Sequence, residues 1–289
     1  MSYQNKFIPF LNLLKGALRL ANPIKMIQNL WRYRSLILQM VQRDIGQRYK
    51  GSYLGLFWSV INPLFMLAIY TFVFSVVFKG RWSSATENAP LGEFALIIFA
   101  GLIPFNLFSE MANRAPSLIL NYSNFVKKVV FPLEILPVIA AGSAAITSII
   151  SIGILLVASL LFLGKLSMAA IFVPLIYLPL LFLSLGLGWF LSALGVYFRD
   201  FAQIIPLVTQ ILFFLSPIVY PAENIPASLK WVITINPLAM IVTDFRNLLI
   251  WNAFFPMKEW AIWTALTGFI AILGYGWFLW AKKGFADVM

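Results

Sequence analysis

Long apolar runs separated by short charged stretches dominate the chain. The run from Leu56 to Phe78 carries no charge, and a helix that crosses the hydrocarbon core needs roughly 20 apolar residues. Similar runs predict spans at about 56–78, 94–111, 135–163, 170–197, 201–216 and 260–280. The pattern therefore predicts an all-α membrane protein with six transmembrane helices.

A different pattern precedes the first span. From Trp31 to Lys50, apolar residues recur on one side at spacings of three and four, which indicates an amphipathic helix in the plane of the membrane interface. Those apolar positions are Ile37, Met40, Val41 and Ile45. Asp44 and Arg48 interrupt that side, four residues apart with the acid first, the favourable order for a helical ion pair. They form either a solvated pair among headgroups or a surface for a cytoplasmic partner or a neighbouring loop.

Prolines divide the stretch between the fifth and sixth spans into pieces too short to cross a membrane. They are Pro217, Pro221, Pro226 and Pro237. The stretch is too apolar for a free external loop, and irregular backbone at membrane depth persists only where protein or a water-filled cavity satisfies it. The sequence thus predicts short re-entrant or surface helices on the external side.

The basic residues set the expected orientation. Arg43, Arg48 and Lys50 lie just before the first span, and Lys282-Lys283 follow the last. Lys and Arg accumulate on the cytoplasmic side of spans, so six spans with both termini cytoplasmic fit the charge pattern. Residues 1–30 lack a signal-peptide pattern, so we expect the first span to act as its own insertion signal.

Composition agrees with a membrane protein and excludes several kinds of chemistry. Hydrophobic residues make up 61% of the chain, mean hydropathy is +0.89, and 11% of residues are charged, where soluble domains average about 25%. With no cysteine and no histidine, disulfides, thiolate chemistry and imidazole catalysis are impossible, and we expect no metal site. Nine of the 21 basic residues lie in the first 50 positions, so the net charge of +11 does not indicate nucleic-acid binding.

Polar and aromatic side chains within two spans are candidates for the wall of a passage. Those of the first span lie on one stripe, since their spacings are four, three and seven, and those of the fifth are glutamines. The candidates are Trp58, Asn62, Phe65, Phe72, Gln203 and Gln210. Rings facing lipid or packing in the core are the ordinary alternative. An amide facing lipid would leave hydrogen bonds unmet, which favours the passage.

Glu110 is the acid that falls within a predicted span. A carboxylate at that depth faces protein or water. It either pairs with a basic residue such as Arg114 or takes part in an inner gate.

Three separated blocks carry a resemblance to a known family. The first is Arg43-Asp44, Arg48-Tyr49-Lys50-Gly51-Ser52, Leu54-Gly55, Trp58 and Asn62-Pro63; the second is Asn121, Asn124 to Lys128 and Phe131-Pro132 through Leu136-Pro137. The third is Ser216-Pro217, Tyr220-Pro221, Ile225-Pro226, Asn236-Pro237-Leu238 and Arg246. In these blocks the chain resembles the membrane subunit of type-2 ABC exporters for cell-surface polysaccharide, the Wzm-like O-antigen, capsule and teichoic-acid permeases.

The resemblance implies an architecture and roles for particular residues. Residues 1–55 would form a cytoplasmic N-terminal segment with an interface helix, and residues 56–289 the six-span type-2 transmembrane domain. Coupling to an ATPase would involve Asp44, Arg48, Asn124, Lys127 and Lys128. An outer gate would involve Tyr220, Asn236 and Arg246. Without the resemblance, residues 114–134 are an ordinary basic loop that contains a short surface helix.

The resemblance also implies partners and a location. The chain would form a homodimer with two ABC ATPase subunits in the cytoplasmic (inner) membrane of a bacterium, surrounded by membrane lipid. The substrate would be a lipid-linked polysaccharide, with O-antigen preferred over capsular polysaccharide or teichoic acid. ATP and Mg²⁺ would be bound by the partner ATPase, and this chain would hold no cofactor.

A missing motif supports a separate energy source. An ATP-hydrolysing P-loop has the form G-x-x-x-x-G-K-[ST], whereas Gly164-Lys165 has no glycine at the required spacing and is followed by Leu166. Two other classes remain as alternatives. An ion-coupled carrier would place paired ionisable residues near the midplane, and a membrane enzyme would gather charged residues at one interface, but the ten acids are scattered.

Overall fold

A computed structural model describes residues 22–48, 50–77, 92–123 and 131–288, and its secondary structure there consists of helices and turns. Three of the predicted coupling residues, Asn124, Lys127 and Lys128, lie outside the described residues. The helices are α1 (Pro23–Arg32), α2 (Arg34–Arg48), α3 (Trp58–Tyr70), α4 (Glu93–Asn121), α5 (Leu136–Leu163), α6 (Val173–Tyr197), α7 (Phe201–Leu215), α8 (Lys230–Thr234), α9 (Pro237–Leu249), α10 (Met257–Ala281) and α11 (Phe285–Val288).

Four of these helices, α4, α5, α6 and α10, are long and apolar enough to cross a membrane. A fifth candidate is the bent pair Ala227–Thr234 and Pro237–Leu249, whose two parts meet at 86°. The predicted first and fifth spans are shorter: α3 has 13 residues and continues as a π-helical stretch, Thr71–Val77, and α7 has 15. The described residues therefore contain four to five membrane-capable helices by length, against six expected.

Local sequence explains where several helices begin and end. Asn22 accepts hydrogen bonds from the backbone N–H groups of Ile24 and Lys25 at the start of α1, and Asn236 caps α9 in the same way. In both helices a proline occupies the first position, where its missing N–H costs nothing. Gly164 ends α5 because its φ of 66° is a left-handed conformation that glycine adopts without strain.

The second predicted span proved too short. We expected the second span to end near residue 111 and residues 114–134 to form a loop with a short surface helix, but α4 continues through Pro104 and Pro116 to Asn121. Prolines are tolerated inside a membrane helix where neighbouring helices satisfy the freed backbone groups. Pro116 is buried, and Gly195 of α6 packs directly on it.

The N-terminal helix also differs from expectation. The predicted single helix from Trp31 to Lys50 is divided at Tyr33 into α1 and α2. On α2, Met40 and Val41 are buried, and Val41 packs on Gly142 of α5. The apolar side of α2 is therefore covered by protein, because α5 presents a small residue at the point of contact. The exposed apolar stripe lies instead on α1, at Ile24, Ile27 and Trp31.

Helix α4 forms the centre of the bundle. It is buried along most of its length, and α5, α6, α7 and α9 all pack against it. Helix α10 packs on the far side of α6, and the backbones come close together where Gly186 meets Gly274. Small residues at this crossing permit the close approach that stabilises helix pairs in lipid.

Candidate functional site

The three residues predicted to form an outer gate all contact the turn that follows α7. Helix α7 ends at Leu215, and Ser216, Pro217 and Ile218 are buried. Backbone carbonyls beyond a helix end have no helical partner, and leaving them unbonded in a buried setting costs free energy. We call residues 214–218 the α7 turn.

Arg246 on α9 provides hydrogen-bond donors for carbonyls of this turn. Its Nε donates a 2.9 Å hydrogen bond to the carbonyl of Ile97 on α4, and its two terminal nitrogens donate to the carbonyls of Pro217 and Ile218. The side chain is 2% exposed. Gly101 leaves the room it needs, since a Cβ there would lie 2.6 Å from a guanidinium nitrogen. Arg246 thus joins α4 and α9 to the α7 turn.

Tyr220 and Asn236 bond to the same turn. The Tyr220 hydroxyl donates to the carbonyl of Phe214 at 2.7 Å. The Asn236 amide donates to the Ser216 hydroxyl at 3.0 Å, while its Oδ1 caps α9. The structure therefore brings together the three residues that the resemblance assigned to an outer gate. It shows them holding a turn in place, and their role in gating remains a prediction.

An ion-pair ring lies at the other end of the bundle. We use this name for Asp44 and Arg48 of α2 with Glu110 and Arg114 of α4. Arg114 bonds to both Asp44 oxygens at 2.7 and 3.1 Å and lies 3.3 Å from Glu110. Arg48 lies 3.4 Å from Asp44 and also pairs with Glu110. Each charge therefore contacts two of opposite sign, which offsets the cost of removing it from water.

The electrostatics of the ring favour an ionised Asp44. Burial raises the pKa of its carboxyl, but the hydrogen bond and charge of Arg114, the Ser143 hydroxyl and the charge of Arg48 together lower the pKa below its ordinary value. The pair Asp44 and Arg48 is thus not simply solvated, since Asp44 is buried against α4. Of the two alternatives for Glu110, the pairing with Arg114 is observed.

A second polar junction was not predicted from the sequence. Glu134, just before α5, accepts a 2.8 Å bond from Lys282 and a 2.9 Å bond from Asn29 of α1. Its backbone carbonyl accepts from the indole of Trp189 on α6, and Asn29 also bonds to the Tyr275 hydroxyl of α10. Glu134 thereby connects α1, α5, α6 and α10. An acid next to one predicted span and a lysine after another were visible signals, but their pairing depends on topology.

The predicted passage residues lie on exposed faces of the single chain. Phe65 and Phe72 are 63% and 60% exposed on α3 and its π-helical extension. Asn62 is exposed beside them. Trp58 is partly exposed, and its indole donates to the Ser52 hydroxyl at 2.8 Å. This stripe therefore points away from the helices that α3 packs against.

The glutamines of α7 also lie on an exposed face. Gln203 and Gln210 are exposed, while Thr209 is buried and donates to Asn113 of α4 at 3.0 Å. The polar residues of α7 therefore divide between an inward contact and an outward face.

The Gly164-Lys165 pair has a structural explanation. The Gly164 N–H bonds to the Leu160 carbonyl to close α5, and the Lys165 carbonyl accepts from Ser159. This is a helix end, not a phosphate-cradling loop that leads into a helix.

Residues 35–250 match the family model described as "ABC-2 type transporter". The chain belongs to this family. The matched ABC-2 region begins in α2 and ends just after α9, so it includes the ion-pair ring, α3 and the α7 turn.

Relatives of the chain carry names that refer to export or transport. It is 28% identical over 225 residues to the "O-antigen export system permease protein RfbA" of Myxococcus xanthus, covering 77% of this chain and 83% of the relative. A Klebsiella pneumoniae protein of the same name is 26% identical over 268 residues, covering 92% and 99%. The "Polysialic acid transport protein KpsM" of Escherichia coli is 25% identical over 206 residues, covering 71% and 77%.

Proposed function

We propose that this ABC-2 chain is the permease subunit of an ATP-driven exporter that moves lipid-linked polysaccharide across the membrane, with O-antigen as the favoured polymer. The observation that carries the proposal is the similarity to proteins named O-antigen export permeases, which extends over 92% of this chain in one case. The family match over residues 35–250 supports the transport class independently.

Capsular polysaccharide is the second candidate substrate. The similarity to the polysialic acid transport protein favours it, but that match covers less of the chain at slightly lower identity. Chemical analysis of the sugars and the lipid anchor of the exported polymer separates the two candidates.

A separate ATPase subunit completes the proposed exporter. Gly164-Lys165 closes helix α5 and does not fit the P-loop pattern. The proposal therefore assigns ATP and Mg²⁺ to two copies of a partner subunit, where nucleotide binding and hydrolysis supply the energy. The partly exposed edge of the ion-pair ring is the proposed route by which its movement reaches α4, because the ring joins α2 to α4 directly.

The proposed topology counts α3 and α7 as crossings together with the four long helices. Six crossings place both termini on the cytoplasmic side of an inner membrane, and α8 with α9 form the bent external pair as a re-entrant element. Residues 1–55 are then the cytoplasmic segment and residues 56–289 the transmembrane domain. Support comes from the apolar character of α3 and α7 and from the 86° bend.

The proposed passage needs a second copy of the chain. The exposed face of α3, with Phe65 and Phe72, and the exposed face of α7, with Gln203 and Gln210, would face their equivalents across a two-fold axis. Rings supply stacking surfaces for sugar faces, and amides supply partners for hydroxyl groups.

Export by cells tests the proposal. Cells that lack the chain should retain the polymer inside, as measured by staining intact and permeabilised cells. The double variant Phe65→Ala and Phe72→Ala should lower surface polymer several-fold without lowering the amount of assembled complex. The matched control is Val157→Ala and Leu161→Ala, since these apolar residues on α5 are also more than 60% exposed. Normal surface polymer in cells without the chain would refute the function, whereas a normal double variant would only remove the two rings from the passage.

A further inference from the structure

Asp244 on α9 is a buried acid that belongs neither to the ion-pair ring nor to the α7 turn. It is 3% exposed, and its Oδ2 has no hydrogen-bond partner among the described residues. No basic side chain in that part of the chain forms an ion pair with it. Buried carboxylates are normally hydrogen-bonded or paired with a cation, so Asp244 needs a separate explanation.

The nearest cation along the chain does not neutralise Asp244. Arg246 lies two residues further along α9, which is about 200° around the helix axis. Its guanidinium donates to the carbonyls of Ile97, Pro217 and Ile218. Asp244 therefore lies on the side of α9 opposite to the α7 turn.

The helices around α9 also leave Asp244 without a cation. Helices α4, α6 and α8 and the short helix Met168–Phe172 pack against α9. The titratable groups on these elements are Glu93, Glu110 and Arg114 of α4, Tyr177 of α6 and Lys230 of α8. The structure shows no bond from any of them to Asp244 within the described ranges. The charge that acts on Asp244 is that of Glu259 in the first turn of α10, and it is negative.

Burial and charge therefore act on Asp244 in the same direction. Removing an isolated carboxylate from water is so costly that a buried acid without a cation takes up a proton instead. A negative neighbour adds repulsion that only the ionised form experiences. The neutral acid avoids both costs.

We propose that Asp244 is a proton-binding site whose carboxyl is protonated in this conformation, and that release of the proton to water loosens the packing of α9. An ionised carboxylate at this position must reach water, and it does so only when α9 or its own side chain moves. Because Arg246 on the same helix binds the α7 turn, a movement of α9 extends to that turn. The site does not depend on which substrate the protein exports.

A metal cation is the other ligand that an unpaired carboxylate accepts. The described residues contain no group of three or more side chains that could hold a metal ion. Glu259, the acid that acts on Asp244, is itself exposed, whereas Ca²⁺ takes about six to eight oxygen ligands. A proton needs a single carboxyl group, so the geometry favours the proton.

Infrared spectroscopy of the full-length chain in lipid nanodiscs tests the site, because a protonated carboxylic acid has a carbonyl band that a carboxylate lacks. We expect this band in the wild-type chain at mildly acidic pH, its loss as pH rises, and its absence in Asp244→Asn. Glu259→Gln removes the neighbouring negative charge, so the band should disappear at a lower pH. Glu223→Gln, another exposed acid near the same end of the bundle, is the matched control and should leave the titration unchanged.

Hydrogen exchange of the α9 amides tests the movement. If opening of α9 releases one proton, its opening constant should rise by up to about tenfold per pH unit, after correction for the intrinsic exchange rate. Asp244→Asn has no proton to release, so its opening constant should not depend on pH. Amides of α5 provide the internal reference in both chains.

Four results would overturn the proposal. Absence of the protonated band from wild type would show that Asp244 is ionised. Loss of the band on addition of Na⁺ or Ca²⁺ at constant pH would assign the site to a metal cation. Equal pH dependence of α9 opening in wild type and Asp244→Asn would separate the proton from the movement. An unshifted titration in Glu259→Gln would assign the band to another acid, and this comparison holds even if Asp244→Asn does not fold.

Discussion

Arg246 illustrates how a single buried cation can organise irregular backbone inside a membrane protein. Three carbonyls, from Ile97, Pro217 and Ile218, receive its hydrogen bonds. Asp244, two residues away on α9, is also buried, but its Oδ2 has no partner within the described part of the chain. The two residues therefore contribute very differently to stability although they share a helix.

Replacing Arg246 by Met should lower the free energy of unfolding by about 3 kcal/mol or more, because it leaves buried carbonyls unbonded. Asp244→Asn is the matched control and should change it by less than about 1 kcal/mol, since no hydrogen bond of Oδ2 is lost. Melting in detergent, followed by tryptophan fluorescence, measures both. Equal melting temperatures for the two variants would contradict the assigned role of Arg246.

Asp44 gives a prediction about pH. Its folded-state pKa is lowered, so its contribution to stability is present above its unfolded pKa of about 3.9 and is lost as pH falls through the folded value. Asp44→Asn should therefore melt below wild type at neutral pH, and the difference should shrink once pH falls below about 4. Asp287→Asn, an exposed site on α11, should match wild type throughout. A difference that persists unchanged into acid would show that the Asp44 charge is not involved.

At the scale of helices, backbone approach at glycines decides how closely elements pack. A Cβ on Gly274 would lie 2.1 Å from the backbone oxygen of Gly186, and one on Gly195 would lie 2.0 Å from the carbonyl of Pro116. Such distances are sterically forbidden and involve backbone, so α6 could keep neither contact unless a helix moved. The crossings of α6 with α10 and α4 therefore depend on these positions.

Gly274→Ala and Gly195→Ala should each destabilise the bundle by about 1–3 kcal/mol, the usual cost of overpacking. Gly153→Ala is the control, because its new methyl group meets nothing within 4 Å and alanine favours the helix. Thermal unfolding of the three purified variants makes the comparison. Equal melting temperatures for Gly274→Ala and Gly153→Ala would contradict the close crossing of α6 and α10.

Two helix ends differ from the positions that the sequence predicted. The pattern of apolar residues predicted one helix from Trp31 to Lys50 and a helix end before Pro116, yet α1 and α2 separate at Tyr33 and α4 continues past Pro116. Contacts with neighbouring helices accompany both differences. Gly142 allows α2 to pack down on α5, and Gly195 allows α6 to cover Pro116.

At the scale of the whole molecule, the exposed faces of α3 and α7 carry the aromatic rings and amides that the proposed dimer would cover. Both helices pack on α4 and present rings or amides outward. A homodimer places equivalent faces opposite one another across its two-fold axis.

Cross-linking tests this arrangement directly, because the chain contains no cysteine. A single cysteine at Phe72 should give a covalent dimer with a bifunctional maleimide in native membranes. A cysteine at Leu161, 76% exposed on α5, should give none at the same labelling efficiency. Cross-linking at Leu161 in preference to Phe72 would place the dimer axis against a different helix.

Some properties of this protein could be predicted from the sequence alone. A lack of charge over 20 or more residues determines membrane insertion whatever the helices contact, and the third, fourth and sixth spans lie within a few residues of α5, α6 and α10. Tyr220, Asn236 and Arg246, which the resemblance assigned to an outer gate, all bond to the α7 turn, and their gating role stays a prediction. Helix ends at Asn236 and Gly164 follow from local capping chemistry.

Only the tertiary structure decided which charges pair and which faces stay open. Asp44 could have been solvated, but Arg114, 70 residues away, makes it part of a ring with Glu110. Glu134 meets Lys282 across 148 residues. Hydropathy reports the preference of each segment for lipid. These contacts depend instead on the distance between helices, and the packing of small residues sets that distance.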